Sequence, residues 1–299
     1  MSEVAFTFPT FRLLMTRVST YIELFKPRLA FLVVFSSSIS YLIANGGTAP
    51  WLDIIFLSLG GFLITGGANG LNQVIEMKQD AIMDRTKDRP IPTGRLLPSE
   101  AAIVSLLAAF TGIAILFTSV NAFSALLGTI ALLLYVVVYT PLKKHTSLAV
   151  FVGAIPGAMP PLIGWVAATG TLNYFGVMLF AIQFIWQFPH FWAIAWRLHD
   201  DYKKVGYHLL PSKGGRNKNS AFQIVLYSLV LIPVSLLPVK FELGGWITLI
   251  VSVIAGLFLF GYSVVLYKKL DISSASKVMF ASLLYLPIVQ LSLLIDILL

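Results

Sequence analysis

Asn72–Arg95 reads NQVIEMKQDAIMDRTKDRPIPTGR and follows directly on an uncharged apolar run, Ile54–Leu71. That run is long enough to cross a bilayer. The stretch after it packs four acids and five cations into one membrane edge. Asn72, Glu76, Asp80 and Asp84 recur at every fourth position. A helix advances roughly 6 Å and drifts about 40° over four residues, so the spacing predicts four side chains on one face of a solvent-accessible helix end. Oxygen ligands arranged this way suit Mg²⁺, which takes few carboxylates and completes its shell with phosphate oxygens. Arg85, Lys87, Arg89 and Arg95 follow at once, and arginine forks match phosphate. The stretch therefore reads as a Mg²⁺–diphosphate site at the mouth of a membrane protein. A charged loop obeying the positive-inside rule would explain the arginines but leave the spaced acids without a purpose.

Working outward, the chain is 58% apolar and only 11% charged. A soluble domain is excluded, and an all-α, polytopic membrane protein is predicted. Nine spans are expected, at 28–46, 53–75, 98–117, 121–139, 148–168, 174–196, 222–239, 244–266 and 278–298. Each must be a helix, because lipid offers backbone groups no other partner. All of the 21 Lys and Arg except Lys240 then fall on one side. This predicts a multi-pass protein of the cytoplasmic (inner) membrane, with its N-terminus in the cytoplasm and its C-terminus outside. The net charge of +8 is thus a topology signal and does not point to nucleic acid. Cysteine is absent, which excludes disulfides, thiolate metal sites and a cysteine nucleophile. Residues 1–27 show no cleavable signal pattern and read as a cytoplasmic segment, either lying flat on the membrane or disordered. Residues 28–299 form one domain.

The two longest connections follow spans two and six, and both begin with polar residues still on the helix. That similarity suggests a weak internal repeat whose polar helix ends face each other across one cavity. Span six ends in QFPHFWAIAWRLHDDYKKVGYHLLP. His190, Arg197 and Asp201 are spaced by seven and four, which predicts one shared helix face. A histidine buried among aromatics needs a partner or a ligand. Trp192 and Trp196, taken alone, suit an interfacial belt. Asp200 and Asp201 repel each other unless a cation or metal balances them. At the end of span four, YTPLKKH offers Tyr139, Lys143 and Lys144 to a diphosphate leaving group. All four histidines, His145, His190, His199 and His208, fall on the cytoplasmic side. Pro156, Pro160 and Pro161 are expected to break up span five.

The run N-x₃-E-x₃-D-x₃-D-R-T-x₂-R-P, Asn72–Pro90, resembles the first acidic motif of the UbiA-type intramembrane prenyltransferases. Its RTxxRP tail is similar to the haem-farnesylating branch of that family. ELFKPRLAFLVVFSSSISYL, YTPLKKHTSLAVFVGAIPGAMPP and PHFWAIAWRLHDDYKKVGYHLLP resemble the same branch. The resemblance implies a nine-helix bundle around a central cavity open to the cytoplasmic side. It implies Mg²⁺ on Asn72, Glu76, Asp80 and Asp201, with Asp84 and Asp200 beside them in the catalytic set. It implies a diphosphate held by Arg85, Arg89, Tyr139, Lys143, Lys144 and Lys204. Farnesyl diphosphate and haem B would be the substrates, haem O the product. A downstream haem-modifying enzyme or terminal oxidase assembly would be the partner. Glu76 stands where the family usually has Asp, and Lys78 where another acid is common. Quinone-type members carry acids where this chain has His190 and Arg197. That departure assigns His190, Trp196 and Arg197 to the haem.

Three other readings compete. A prenyltransferase acting on an aromatic quinone precursor would lack the His190/Arg197 pair and the RTxxRP tail. A secondary transporter would carry charge near its span centres, and most spans here have none. A haem-binding assembly factor would explain the histidines but not Asn72, Glu76, Asp80 and Asp84.

Overall fold

The computed structural model describes residues 9–299, with side chains from Arg17 onward. Residues 1–8, the start of the expected N-terminal segment, lie outside the described residues. An amino-terminal helix, α1 (Pro9–Phe25), precedes nine helices long and apolar enough to cross a membrane. These are α2 (Pro27–Ala44), α3 (Trp51–Ile75), α4 (Pro98–Ser119), α5 (Ala122–Leu142), α6 (Ala149–Thr169), α7 (Tyr174–Arg197), α8 (Lys218–Lys240), α9 (Trp246–Lys269) and α10 (Ile272–Leu298). No strand occurs among the described residues. The chain is a multi-pass integral membrane protein of the all-α class.

Sequence neighbours pack side by side, and α6 is the most enclosed of the nine. Small residues make the close approaches possible. A Cβ on Gly112 would meet the Gly60 carbonyl, and one on Gly67 would meet Ala109, so α3 and α4 pack backbone to backbone. The three prolines of α6 do not break it, contrary to expectation. Pro161 has no N–H to give the Gly157 carbonyl one turn back. Gln183 of α7 supplies that donor at 2.8 Å. Gln183 in turn accepts from Ser36 of α2, and Gln290 of α10 donates to both. An uncharged polar network thus ties four helices where a proline leaves a carbonyl open.

Two connections are long, 76–97 and 198–217, and both lie at the same pole. The first is a folded cap. Ile91 and Leu96 turn inward onto Leu24 and Ala101, and the Thr86 hydroxyl donates to the Asp80 carbonyl at 2.9 Å. At the opposite pole, a shallow recess of about 570 Å³ opens between Trp165, Glu242–Gly245 and Asp296.

Candidate active site

The acidic spacing keeps its helical geometry only as far as Asp80. α3 ends at Ile75, and a single further turn, Met77–Asp80, carries the direction on. The amide of Glu76 bonds the Asn72 carbonyl, and that of Asp80 bonds the Glu76 carbonyl. Asp84 lies beyond this turn, exposed, and pairs with Lys87 at 3.1 Å and with Lys204. Four side chains on one helix face are therefore corrected to three, because the helix has ended before Asp84. The helix end is also not solvent-accessible: Asp80 is 1% exposed and Glu76 is 4%.

Burying carboxylates demands counter-charge, and the structure supplies it from other elements. One Glu76 oxygen takes the Lys143 ammonium at 2.6 Å and the Tyr207 hydroxyl at 2.8 Å. The other accepts from Asn72 Nδ2 at 3.0 Å. Asn72 Nδ2 also donates to Thr140 Oγ1 at 3.1 Å. Lys143 lies over the Tyr139 ring, 4.9 Å from its centroid. Burial pulls the Lys143 ammonium below its ordinary value, with Glu76 opposing. Burial, then Glu76, pushes the Tyr207 hydroxyl upward. One Asp80 oxygen holds Arg89 at 2.6 Å, while the other is buried without a partner.

A π-helical stretch, Leu134–Tyr139, lies near the end of α5, before its last residues Thr140–Leu142. Such widened turns concentrate at functional sites. Here it lets Thr140 bond back to the Tyr135 carbonyl while presenting its oxygen to Asn72. Gly153 of α6 leaves room for the Tyr139 ring, which a Cβ there would meet at 2.7 Å.

The second connection closes over the first. Asp201 accepts the backbone N–H groups of Asp84 and Arg85, each at 3.1 Å, and Lys204 Nζ at 3.0 Å. Burial raises the Asp201 carboxyl, but Lys204 and the two backbone donors outweigh it and hold the group below its ordinary value. Lys204 also bonds Asp84, whose carboxyl it and Lys87 hold low. Asp200 points the other way, exposed, to Arg216 at 3.0 Å. Arg85 and Lys144 are exposed.

His190, Arg197 and Asp201 do not share a face. α7 ends at Arg197, and Asp201 sits on a separate turn, His199–Lys204. His190 and Arg197 both face α10 instead. His190 stacks on Trp186, with ring centroids 4.7 Å apart, and Arg197 reaches the Met279 sulfur at 2.8 Å. His190 Nδ1 is 2.8 Å from Ser282 Oγ. The Ser282 hydroxyl also reaches the Met279 carbonyl as a donor, an arrangement that suits the His190 tautomer with its hydrogen on Nδ1. Trp196 is fully buried in the core and its indole N–H has no partner.

Sequence reasoning missed Tyr207, Thr140 and Thr86. Tyr207 follows Gly206, whose positive φ of 74° makes the turn that sends the ring inward. A tyrosine beside a glycine and among apolar residues, after a charged helix end, was the available signal.

No cluster of three or more His, Asp or Glu stands ready for a metal among the described residues. Asn72, Glu76 and Asp80 nonetheless suit a hard cation. Their donors are all oxygen, and Asp80 keeps one buried carboxylate oxygen unused.

The sequence pattern of the UbiA prenyltransferase family matches residues 32–284. A protein named protoheme IX farnesyltransferase from Cytophaga hutchinsonii is 43% identical over 283 residues, covering 94% of this chain and 98% of that one. One of the same name from Christiangramia forsetii is 44% identical over 286 residues, covering 93% of each. Among solved structures, one described as digeranylgeranylglyceryl phosphate synthase superposes with a TM-score of 0.78 at 22% identity, covering 94% of this chain and 98% of that one. A UbiA homolog from Archaeoglobus fulgidus bound to GPP and Mg²⁺ superposes with a TM-score of 0.61 at 14% identity, covering 92% and 99%.

Proposed function

The chain belongs to the UbiA prenyltransferase family, and from that premise we propose that it transfers the farnesyl group of farnesyl diphosphate to a vinyl group of haem B. The observation that carries the reading is the buried pair Glu76 and Asp80, facing Lys143 and Arg89, with one Asp80 oxygen unused. The names of the relatives, from Cytophaga and Christiangramia, agree with it.

Asn72, Glu76 and Asp80, with Asp201 of the closing loop, would hold Mg²⁺. Bound there with the diphosphate, the metal would neutralise charge on the leaving oxygens. With the carboxylates on a metal, Lys143 and Arg89 would be free to turn to the diphosphate. Arg85, Lys144 and Lys204 stand at the exposed rim to receive it, and Tyr139 lies against Lys143. These cations stabilise the charge that grows as the farnesyl C–O bond breaks. The allylic carbon is then captured by the terminal vinyl carbon. Water adds to the remaining vinyl carbon and loses a proton, giving a hydroxyethylfarnesyl group and free diphosphate.

Haem would lie against α7 and α10. His190, in the tautomer with its hydrogen on Nδ1, would offer an Nε2 lone pair there, and Arg197, two turns away at the charged edge, suits a propionate. The loops over Glu76 would part to open the cavity on the cytoplasmic side. The enzyme would lie in the inner membrane, N-terminus inside, delivering haem O to a downstream haem-modifying enzyme or terminal oxidase assembly.

The test is incubation of purified protein with haem B, farnesyl diphosphate and Mg²⁺, followed by mass analysis of the haem. The expected product has gained one farnesyl group and one hydroxyl group. Haem recovered unchanged, with farnesyl on a quinone precursor supplied in parallel, would overturn the reading.

A further inference from the structure

Ser282 of α10 and His190 of α7 belong to a chain of three polar groups. His190 Nδ1 is 2.8 Å from Ser282 Oγ, and that hydroxyl reaches the Met279 carbonyl, also at 2.8 Å. With the ring hydrogen on Nδ1, each group donates to the next, and bonds in such a chain polarise and strengthen one another. Trp186 holds the imidazole from its face. The two rings stack, and the indole N–H donates to the Ser282 carbonyl at 2.6 Å. One serine thus fixes the histidine through its hydroxyl and the stacking tryptophan through its carbonyl. The imidazole is constrained in both rotation and tilt.

Joining two helices needs far less. Ser228 and Ser263 tie α8 to α9 with hydroxyls alone, at 2.8 Å. Trp165, Trp192 and Trp196 pack within the bundle with their N–H groups unpaired. Around His190 the ring atom left over is Nε2, which nothing bonds among the described residues, and the side chain is only half-buried. In the tautomer with its hydrogen on Nδ1, Nε2 bears a lone pair. A lone pair repels a carboxylate but binds a metal ion. Arg197, seven residues on and about 10 Å farther along the axis, is the group that suits a propionate. A hydrogen bond from Nδ1 is also what metal-bound histidines carry, since it fixes the tautomer and raises the basicity of the other nitrogen. We propose that His190 Nε2 is the axial ligand of the haem iron and that Ser282 and Trp186 are its positioning residues; this rests on haem being the acceptor, as proposed above.

The test titrates purified full-length protein with haem B. It records the resonance Raman spectrum of the bound haem, the melting temperature, and separate KM values for haem B and farnesyl diphosphate. The ferrous His190→Gly complex should lose the iron–imidazole stretch, and added imidazole should restore it. Ser282→Ala should bind haem about tenfold more weakly, the lower end of what a lost partner behind a metal ligand costs, and shift that stretch to lower frequency. Ser282→Thr keeps the hydroxyl and should recover both. Trp186→Phe keeps a stacking ring without the N–H and should shift the stretch less than Ser282→Ala does. KM for farnesyl diphosphate should stay unchanged throughout. A serine that only joins helices would, when replaced, lower the melting temperature and leave the affinity and the stretch as in the wild type. That result, or a His190→Gly complex that keeps the wild-type stretch, overturns the proposal. A wild-type protein that binds no haem overturns the haem reading itself, and this ligand with it.

Discussion

At one pole of the bundle, Glu76 and Asp80 are buried against Lys143 and Arg89. At the other, Asp296 accepts backbone N–H groups of Gly245, Ile247 and Thr248, at 2.8, 3.2 and 2.7 Å. Asn121 and Asn173 likewise accept the open N–H groups that begin α5 and α7. Polar side chains at the second pole satisfy what every helix start leaves open. Glu76 and Asp80 at the first satisfy no backbone group of their own helix. They require cations brought from elsewhere in the chain, and one oxygen still goes unused. The polar groups that lack a local structural purpose are therefore the ones to assign to chemistry.

The sharpest way to break this contrast is Asp80→Asn. Turnover should fall by a factor on the order of 10²–10³, since the amide cannot supply the charge that a hard cation needs. Its remaining oxygen can still accept from Arg89, so the variant should fold, with a lowered melting temperature. Wild-type turnover at saturating Mg²⁺ would remove the acidic pole from the chemistry.

Glu76→Gln should come next. It leaves the Lys143 ammonium buried without its counter-charge, a change that costs roughly 3–5 kcal/mol in other buried pairs. The double variant with Lys143→Met should recover much of that stability while remaining inactive. Chemical denaturation of the single and double variants measures the coupling. Additive losses would show that the pair is not a unit.

His190→Ala and Arg197→Ala should each raise KM for haem B, the latter roughly tenfold, the scale of a lost charge-assisted contact, and leave that for farnesyl diphosphate unchanged. These residues face α10 and not Glu76. A rise in the diphosphate constant alone would merge the two halves of the site.

A smaller effect is expected at the opposite pole. Asp296→Ala should cost about 1 kcal/mol, as lost helix caps do, with turnover per folded molecule unchanged. Loss of activity out of proportion to stability would give that pole, and its recess beside Trp165, a role in chemistry.

The sequence disclosed the spans and the residue types of the site, because apolar length and periodic acids are local signals. It placed the start of the last span at 278, where apolarity begins, whereas α10 starts at Ile272 because Asp271 caps the Ser274 amide. α8 likewise begins at Lys218, where Asn217 caps Ser220. Asp84 was misplaced because periodicity does not announce a helix end. The proline-rich α6 was expected to break because its rescuer, Gln183, lies on another helix. Tyr207 was invisible for the same reason: it meets Glu76 from 131 positions away. What remained unread was the pairing between distant elements, which no local pattern encodes.

The last prediction asks which water the chemical pole faces, and it changes no contact in the site. The cation bias predicts that the charged pole faces the cytoplasm. A diphosphate is too polar to cross the hydrocarbon core, so it must arrive from the side that makes it. The chain has no cysteine, so single cysteines report without background. Thr93 is exposed in the basic loop, and Thr171 is exposed in the short connection before α7. Asn173 is a poorer reporter, since its side chain caps α7. A membrane-impermeant thiol reagent added to intact cells should label Thr171→Cys and miss Thr93→Cys until the membrane is opened. Labelling of Thr93→Cys from outside would invert the protein. The buried carboxylates would then face a compartment without prenyl diphosphate, and the link between charge bias and active site would be lost.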